Sequence, residues 1–271
     1  MAMALAAGCG PDQSDRPGPP QSAASALIQK ALPAFEEARG RRFLKPSPSM
    51  ARLRNALRSR NGRLAQQLAQ QELATDPDNP EALLISSQLL YQSAAMTAAR
   101  PGFERILELG PTFEGCQRVF YLYGSCLLRL GEPKAAREAF EGHLRLDPEH
   151  GETHYSLGEL ILQDGDPEAS LPHFERALEL FQTSRRKQGP FLTMDLARVH
   201  ASIAAAHLQA GDLKAARQSI ERSLELNPNH PQSHYTLSRI LTRLGDMDGA
   251  RAALAEFQRL NQATAPGGQQ R

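Results

Sequence analysis

Residues 154–180 read HYSLGELILQDGDPEASLPHFERALEL. Apolar residues fall three or four apart up to Leu162, stop at Gly165-Asp166-Pro167, and resume at Ser170, Phe174 and Ala177. That pattern predicts two amphipathic helices joined by a tight turn. A glycine at the break suits a helix end, because it takes a positive φ without a Cβ penalty.

The same stretch returns elsewhere. Gly131 to Gly165, Gly211 to Gly245, Ala65 to Ala99, Ala216 to Ala250 and Pro77 to Pro111 are each 34 residues apart. Ala99 to Ala136 is 37 and Gly165 to Gly211 is 46, so an insertion of three residues near 114–116 and one of twelve near 185–196 bring every copy into register. The periods are then 46–79, 80–113, 117–150, 151–184, 197–230 and 231–264. A helix pair cannot bury its own apolar face, so repeats of this length stack and share one continuous core.

On these residues the chain resembles the tetratricopeptide repeat family. Leu157 and Gly158 match the Leu-Gly pair of the first helix, and Ser170 the small residue early in the second. Phe174 and Ala177 match the plug and the small residue behind it. In other copies the small residue is Ala99, Ala136, Ala216 or Ala250 and the plug is Phe103, Phe140, Ile220 or Leu254, while Pro77, Pro111, Pro148 and Pro228 close four periods. The family's large aromatic early in the first helix is replaced by His154, His200 and His234. The resemblance implies an all-α, right-handed superhelical solenoid and a protein-binding scaffold without a cofactor.

Outside the repeats, residues 1–9 form a short lipoprotein-signal-like segment, 10–23 a flexible tether rich in Pro and Gly, 24–45 a helical segment interrupted at Pro33, and 265–271 a frayed tail. The 24–45 segment is expected to cap the open end of the stack. The insertion RRKQGPFLTMDL is expected to lengthen two helices joined through Gly189 and Pro190, either as a plain longer hairpin or as a loop offering Phe191 and Leu192.

Charge excludes some functions. The chain carries 31 basic and 30 acidic side chains, a net +1, so no molecule-wide field points to nucleic acid. GxSxG, Walker, GxGxxG and HExxH motifs are absent, so no familiar catalytic or small-molecule site is expected. The three cysteines make neither a disulfide framework nor a zinc spacing. Equivalent histidines in stacked helix pairs lie about 8–10 Å or more apart, so His154, His200 and His234 are expected not to build a metal site.

By register, Arg118, Tyr121, Ser125, Tyr155, Glu159, Arg198, Tyr235 and Arg239 belong to first helices, which in this family line the concave face. Tyr and Arg combine large contact area with hydrogen bonding, so these eight are the expected partner-binding residues. The Lys and Asn set by which some relatives clamp chaperone tails is absent. From Arg39 to Arg63 nine basic residues run without an acid. They either solvate the outside of a helix or meet an anionic membrane surface. MAMALAAGC resembles the end of a bacterial lipoprotein signal, which marks Cys9 for lipidation. The expectation is a membrane-anchored bacterial scaffold, extracytoplasmic, with a cytoplasmic scaffold as the alternative.

Overall fold

A computed structural model describes residues 22–41, 48–183 and 190–264. Among the described residues every regular element is helical: α1 Ala23–Glu37, α2 Pro48–Arg58, α3 Gly62–Thr75, α4 Pro80–Gln92, α5 Met96–Leu109, α6 Arg118–Arg129, α7 Pro133–Leu146, α8 Gly151–Gln163, α9 Pro167–Thr183, α10 Pro190–Ala210, α11 Leu213–Leu226, α12 Pro231–Leu244 and α13 Met247–Thr264. From α2 onward the helices stack pair upon pair into an all-α solenoid. First helices also touch across pairs, at α4–α6, α8–α10 and α10–α12, an approach the second helices of neighbouring pairs do not match. This splay puts the first helices on the inside of the curve and the second helices on the outside.

Close approach within a pair follows from the small residues. A Cβ placed on Gly124 would lie 2.8 Å from the Phe140 ring, and one on Gly158 would lie 2.8 Å from the Phe174 ring. Both rings are fully buried. The glycines therefore make the space that the plugs fill. At the helix ends, side chains of Asn61, Asn79 and Asp212 accept from the backbone N–H three residues on, satisfying donors that the first turn leaves orphaned.

The turns inside the six pairs place Arg60, Ala94, Gly131, Gly165, Gly211 and Gly245 at positive φ, between 56° and 91°. Residues 114–116 form the turn into α6, with Gly115 at φ 82° and Cys116 buried. Helices α9 and α10 are long, 17 and 21 residues. Residues 184–189, including Gly189, lie outside the described residues, as do the side chains of Phe191 and Leu192.

Helix α1 departs from expectation. It runs unbroken through Pro33 and packs against α5 and α7 on the outer side, in the middle of the array. Ile28, Leu32 and Phe35 are its buried stripe. Phe35 meets Phe120 edge to face at 5.1 Å, and Leu32 lies over Gly142, where an added Cβ would be 3.5 Å away. At its rim Gln29 donates to Glu138, and Arg39 donates to the Arg145 carbonyl at 3.2 Å. The outer groove between two second helices, not the open end, is where its apolar stripe finds cover.

Candidate protein-binding face

The inner helices α6, α8, α10 and α12 carry all eight expected contact residues, in two different environments. Arg118, Glu159 and Arg239 are exposed, and Tyr235 is 38% exposed. Tyr235 rests on Phe257 at 5.3 Å, with the Arg239 guanidinium 6.0 Å from its ring centre. Arg118 extends its Nη2 to Gln88 Oε1 at 3.3 Å.

Tyr121, Ser125, Tyr155 and Arg198 are half-buried and engaged. Tyr121 sits 4.8 Å from His150, 5.9 Å from His143 and 6.1 Å from Phe140, ring centre to ring centre. The Ser125 hydroxyl donates back to the Tyr121 carbonyl at 2.9 Å. Tyr155 packs 5.9 Å from Phe174, and its hydroxyl lies 3.3 Å from Ser202 Oγ. Burial pushes both phenols up to about 12, with nearby carboxylates adding to the rise. Arg198 stacks 4.2 Å above Tyr155 and reaches Glu152 at 2.9 Å, linking α10 to α8. Burial alone would lower its pKa, but Glu152 holds it above the ordinary value. The shared register of the three tyrosines thus does not bring equal exposure: Tyr121 is covered by His150 at the start of α8 and Tyr155 by Arg198 and Ser202 of α10, whereas Tyr235 rests on Phe257 of its own pair.

One feature was invisible in the sequence. Thr153 donates its backbone N–H and its hydroxyl to His150 Nδ1, at 3.2 and 2.8 Å, so that nitrogen is an acceptor. The same hydroxyl lies 2.8 Å from His143 Nδ1, which must then carry the proton. His143 Nε2 is left as a buried lone pair with no partner among the described residues. Eighty residues on, Ser223, His230 and Ser233 hold the same places, with Ser223 Oγ 2.7 Å from Ser233 Oγ, and Ser233 Oγ 2.6 Å from His230 Nδ1. Burial first, then His150 and Arg118, hold His143 down at about 3.

His154 and His234 each donate Nε2–H to a closing-proline carbonyl, of Pro148 at 3.1 Å and Pro228 at 2.7 Å. His154 Nδ1 lies 3.2 Å from His173 Nδ1, a contact inside one repeat. Among the described residues no three His, Cys, Asp or Glu side chains are grouped to hold a metal ion. Nor is any described helix long and apolar enough to cross a membrane.

The arginine run divides. Arg39 turns to the α7 end, Arg54 pairs with Glu81 on α4, and Arg52 and Arg63 are exposed. Arg54, Arg58, Arg60 and Arg118 line a groove of about 910 Å³ between α2, α4 and α6. Arg42, Lys45 and Cys9 lie outside the described residues.

A curved stack of helix hairpins with an open, polar inner face defines a helical-repeat scaffold that binds proteins. Models of the tetratricopeptide repeat match residues 50–112, 115–150, 124–185 and 207–265, and the chain belongs to that family. It is 31% identical over 111 residues to the Protein CTR9 homolog of Arabidopsis thaliana, covering 41% of this chain. The chain spans about a tenth of the length of that relative. Among solved structures, the APC/C hetero-tetramer Cut9–Hcn1 superposes with a TM-score of 0.64 at 16% identity, covering 90% of this chain and 45% of that one. YrrB, described as a TPR protein with an unusual peptide-binding site, superposes with a TM-score of 0.54 at 18% identity, covering 72% and 93%. These likenesses show the fold.

Proposed function

We propose that this chain is a non-catalytic scaffold that gathers partner proteins on its inner face, with Arg118, Tyr121, Ser125, Tyr155, Glu159, Arg198, Tyr235 and Arg239 as the contact row. The observation that carries this reading is the exposure of Arg118, Glu159, Tyr235 and Arg239 on the inner helices α6, α8 and α12. Exposed Tyr and Arg on a concave surface supply area, hydrogen bonding and charge at small entropic cost. Tyr121, Tyr155 and Arg198 hold that face in shape through their stacking and ion pairs. YrrB, a structural relative with a peptide-binding site, supports a peptide as the ligand type.

Membrane attachment through a lipid on Cys9, at a bacterial membrane and outside the cytoplasm, is the second part of the proposal. Its support is the MAMALAAGC segment followed by a Pro- and Gly-rich tether. The basic residues of Arg39–Arg63 that stay exposed would then lie near acidic headgroups.

The test is capture from lysate of the source organism, followed by mass spectrometry. A variant carrying Tyr235→Ala and Arg239→Glu loses the partners that the wild type retains, whereas Arg217→Glu on outer helix α11 keeps them. Equal loss from both variants overturns the inner-face reading. Labelling with a palmitate analogue tests the anchor separately; an unlabelled product still carrying residues 1–9 removes it.

A further inference from the structure

The groove between α2, α4 and α6 combines charge with backbone strain. Four guanidinium groups, Arg54, Arg58, Arg60 and Arg118, face two carboxylates, Glu81 and Glu114. Glu81 is taken by Arg54. Arg58 and Arg60 are exposed, and among the described residues no carboxylate lies within ion-pair distance of either. Leu84, Ile85 and Leu89 form the floor between them.

Arg60 stands at φ 56°, in the turn position that glycine occupies in the last four pairs at φ 81–91°. A side chain in that conformation costs about 1–2 kcal/mol that glycine avoids. Ala94 shares the conformation, so strain alone does not mark the groove. What marks it is that the strained turn here holds a cation beside two others on α2, with Arg58 one helical turn from Arg54.

We infer that this groove binds an acidic peptide segment, its carboxylates on Arg58 and Arg60 and its apolar side chains on the half-buried Leu57 and Leu89. The inference rests on the inner-face reading and names the chemistry of one partner. Guanidinium forks engage carboxylates through paired, charge-assisted hydrogen bonds, and a concave groove of about 910 Å³ has room for an extended peptide. Phe113 is the one aromatic on its wall, too few for stacked bases.

The probe is a fluorescein-labelled decapeptide alternating Glu and Leu, with a Gln and Leu peptide as control, titrated into the full chain and followed by anisotropy. The wild type prefers the Glu peptide, and raising salt weakens it. Arg58→Ala with Arg60→Gly raises its Kd at least tenfold while circular dichroism stays unchanged. Arg217→Glu on outer helix α11 leaves that Kd as in wild type. Equal binding of both peptides, no binding, or no effect of the Arg58 and Arg60 changes overturns the inference. Loss on the Tyr235 and Arg239 variant instead moves the acidic site along the inner face, leaving that reading intact and this groove refuted. Phosphatidylserine vesicles or polyuridylate that depend on Arg58 and Arg60 more strongly than the peptide does also overturn it.

Discussion

Replacing His143 by Asn isolates the acid sensitivity of one repeat junction. Asn sets an amide N–H where His143 Nδ1 stands, so the bond to Thr153 Oγ1 is kept while the titrating ring is removed. The folded pKa, about 3, lies below the ordinary histidine value of 6.5. The stabilisation is therefore complete above about pH 6.5 and is lost as pH falls, until the folded pKa is reached near 3. Each pH unit inside that window carries about 1.4 kcal/mol, so at pH 4.5 the wild type has lost roughly 3 kcal/mol through this ring. The Asn variant begins lower, by about 1–2 kcal/mol near pH 7.5, because a buried ring is replaced by a smaller amide. Its stability then falls less steeply with acid. His154, His173, His200 and His230 are also held down by burial and remain in both proteins, so their contribution cancels in the comparison. Urea melts followed by far-ultraviolet circular dichroism, at several pH values between about 7.5 and 4.5, give the two slopes. Parallel slopes would refute the account, since they would mean that His143 is not kept neutral by its burial.

Gly158→Ala forces a methyl against the buried Phe174 ring and lowers stability by about 1–2 kcal/mol, net of the better helix propensity of Ala; thermal melting reads it. Ala94→Gly relieves a left-handed alanine in a solvent-facing turn and raises stability by about 0.5–1 kcal/mol, checked by the urea midpoint. Leu32→Ala removes the α1 side chain that lies over Gly142 and costs about 2–4 kcal/mol, with α1 exchanging its amide hydrogens sooner than α7. Deleting residues 197–264 leaves 46–184 helical but less stable, because each pair leans mainly on its neighbours; proteolysis of the shortened chain separates that outcome from wholesale unfolding.

The stacking was legible because it is written in small residues at constant spacing. Gly124 and Gly158 lie one period apart, and so do the rings they admit, Phe140 and Phe174. The turn glycines were legible for the same reason, although Arg60 and Ala94 take the same backbone conformation without being glycine. The polar relays were not, because one junction spells the arrangement His143, His150, Thr153 and the other Ser223, His230, Ser233. With only His150 and His230 in common, the two junctions leave little identity for a period search to find. For α1, Ile28, Leu32 and Phe35 announce an apolar stripe but not its destination, since the partner surface lies about a hundred residues further along. Exposure along the inner face was also hidden: Tyr121, Tyr155 and Tyr235 share a register, but Tyr155 is covered by Arg198 and Ser202 of the next repeat while Tyr235 stays 38% exposed.

Docking of α1 across the back of the array sets an order of events as the chain emerges, N-terminal part first. Gln29 meets Glu138, and Arg39 meets the carbonyl of Arg145, so α1 waits for a surface made more than a hundred residues later. At roughly 5–20 residues per second, that wait is about 5–20 seconds. During it the pairs α2–α3 and α4–α5 can form from local contacts as they emerge, while the Ile28, Leu32 and Phe35 stripe stays bare. Helix α1 is thus made before the pairs α2–α3 and α4–α5 yet settles after them, and for those seconds its apolar stripe is open to a chaperone.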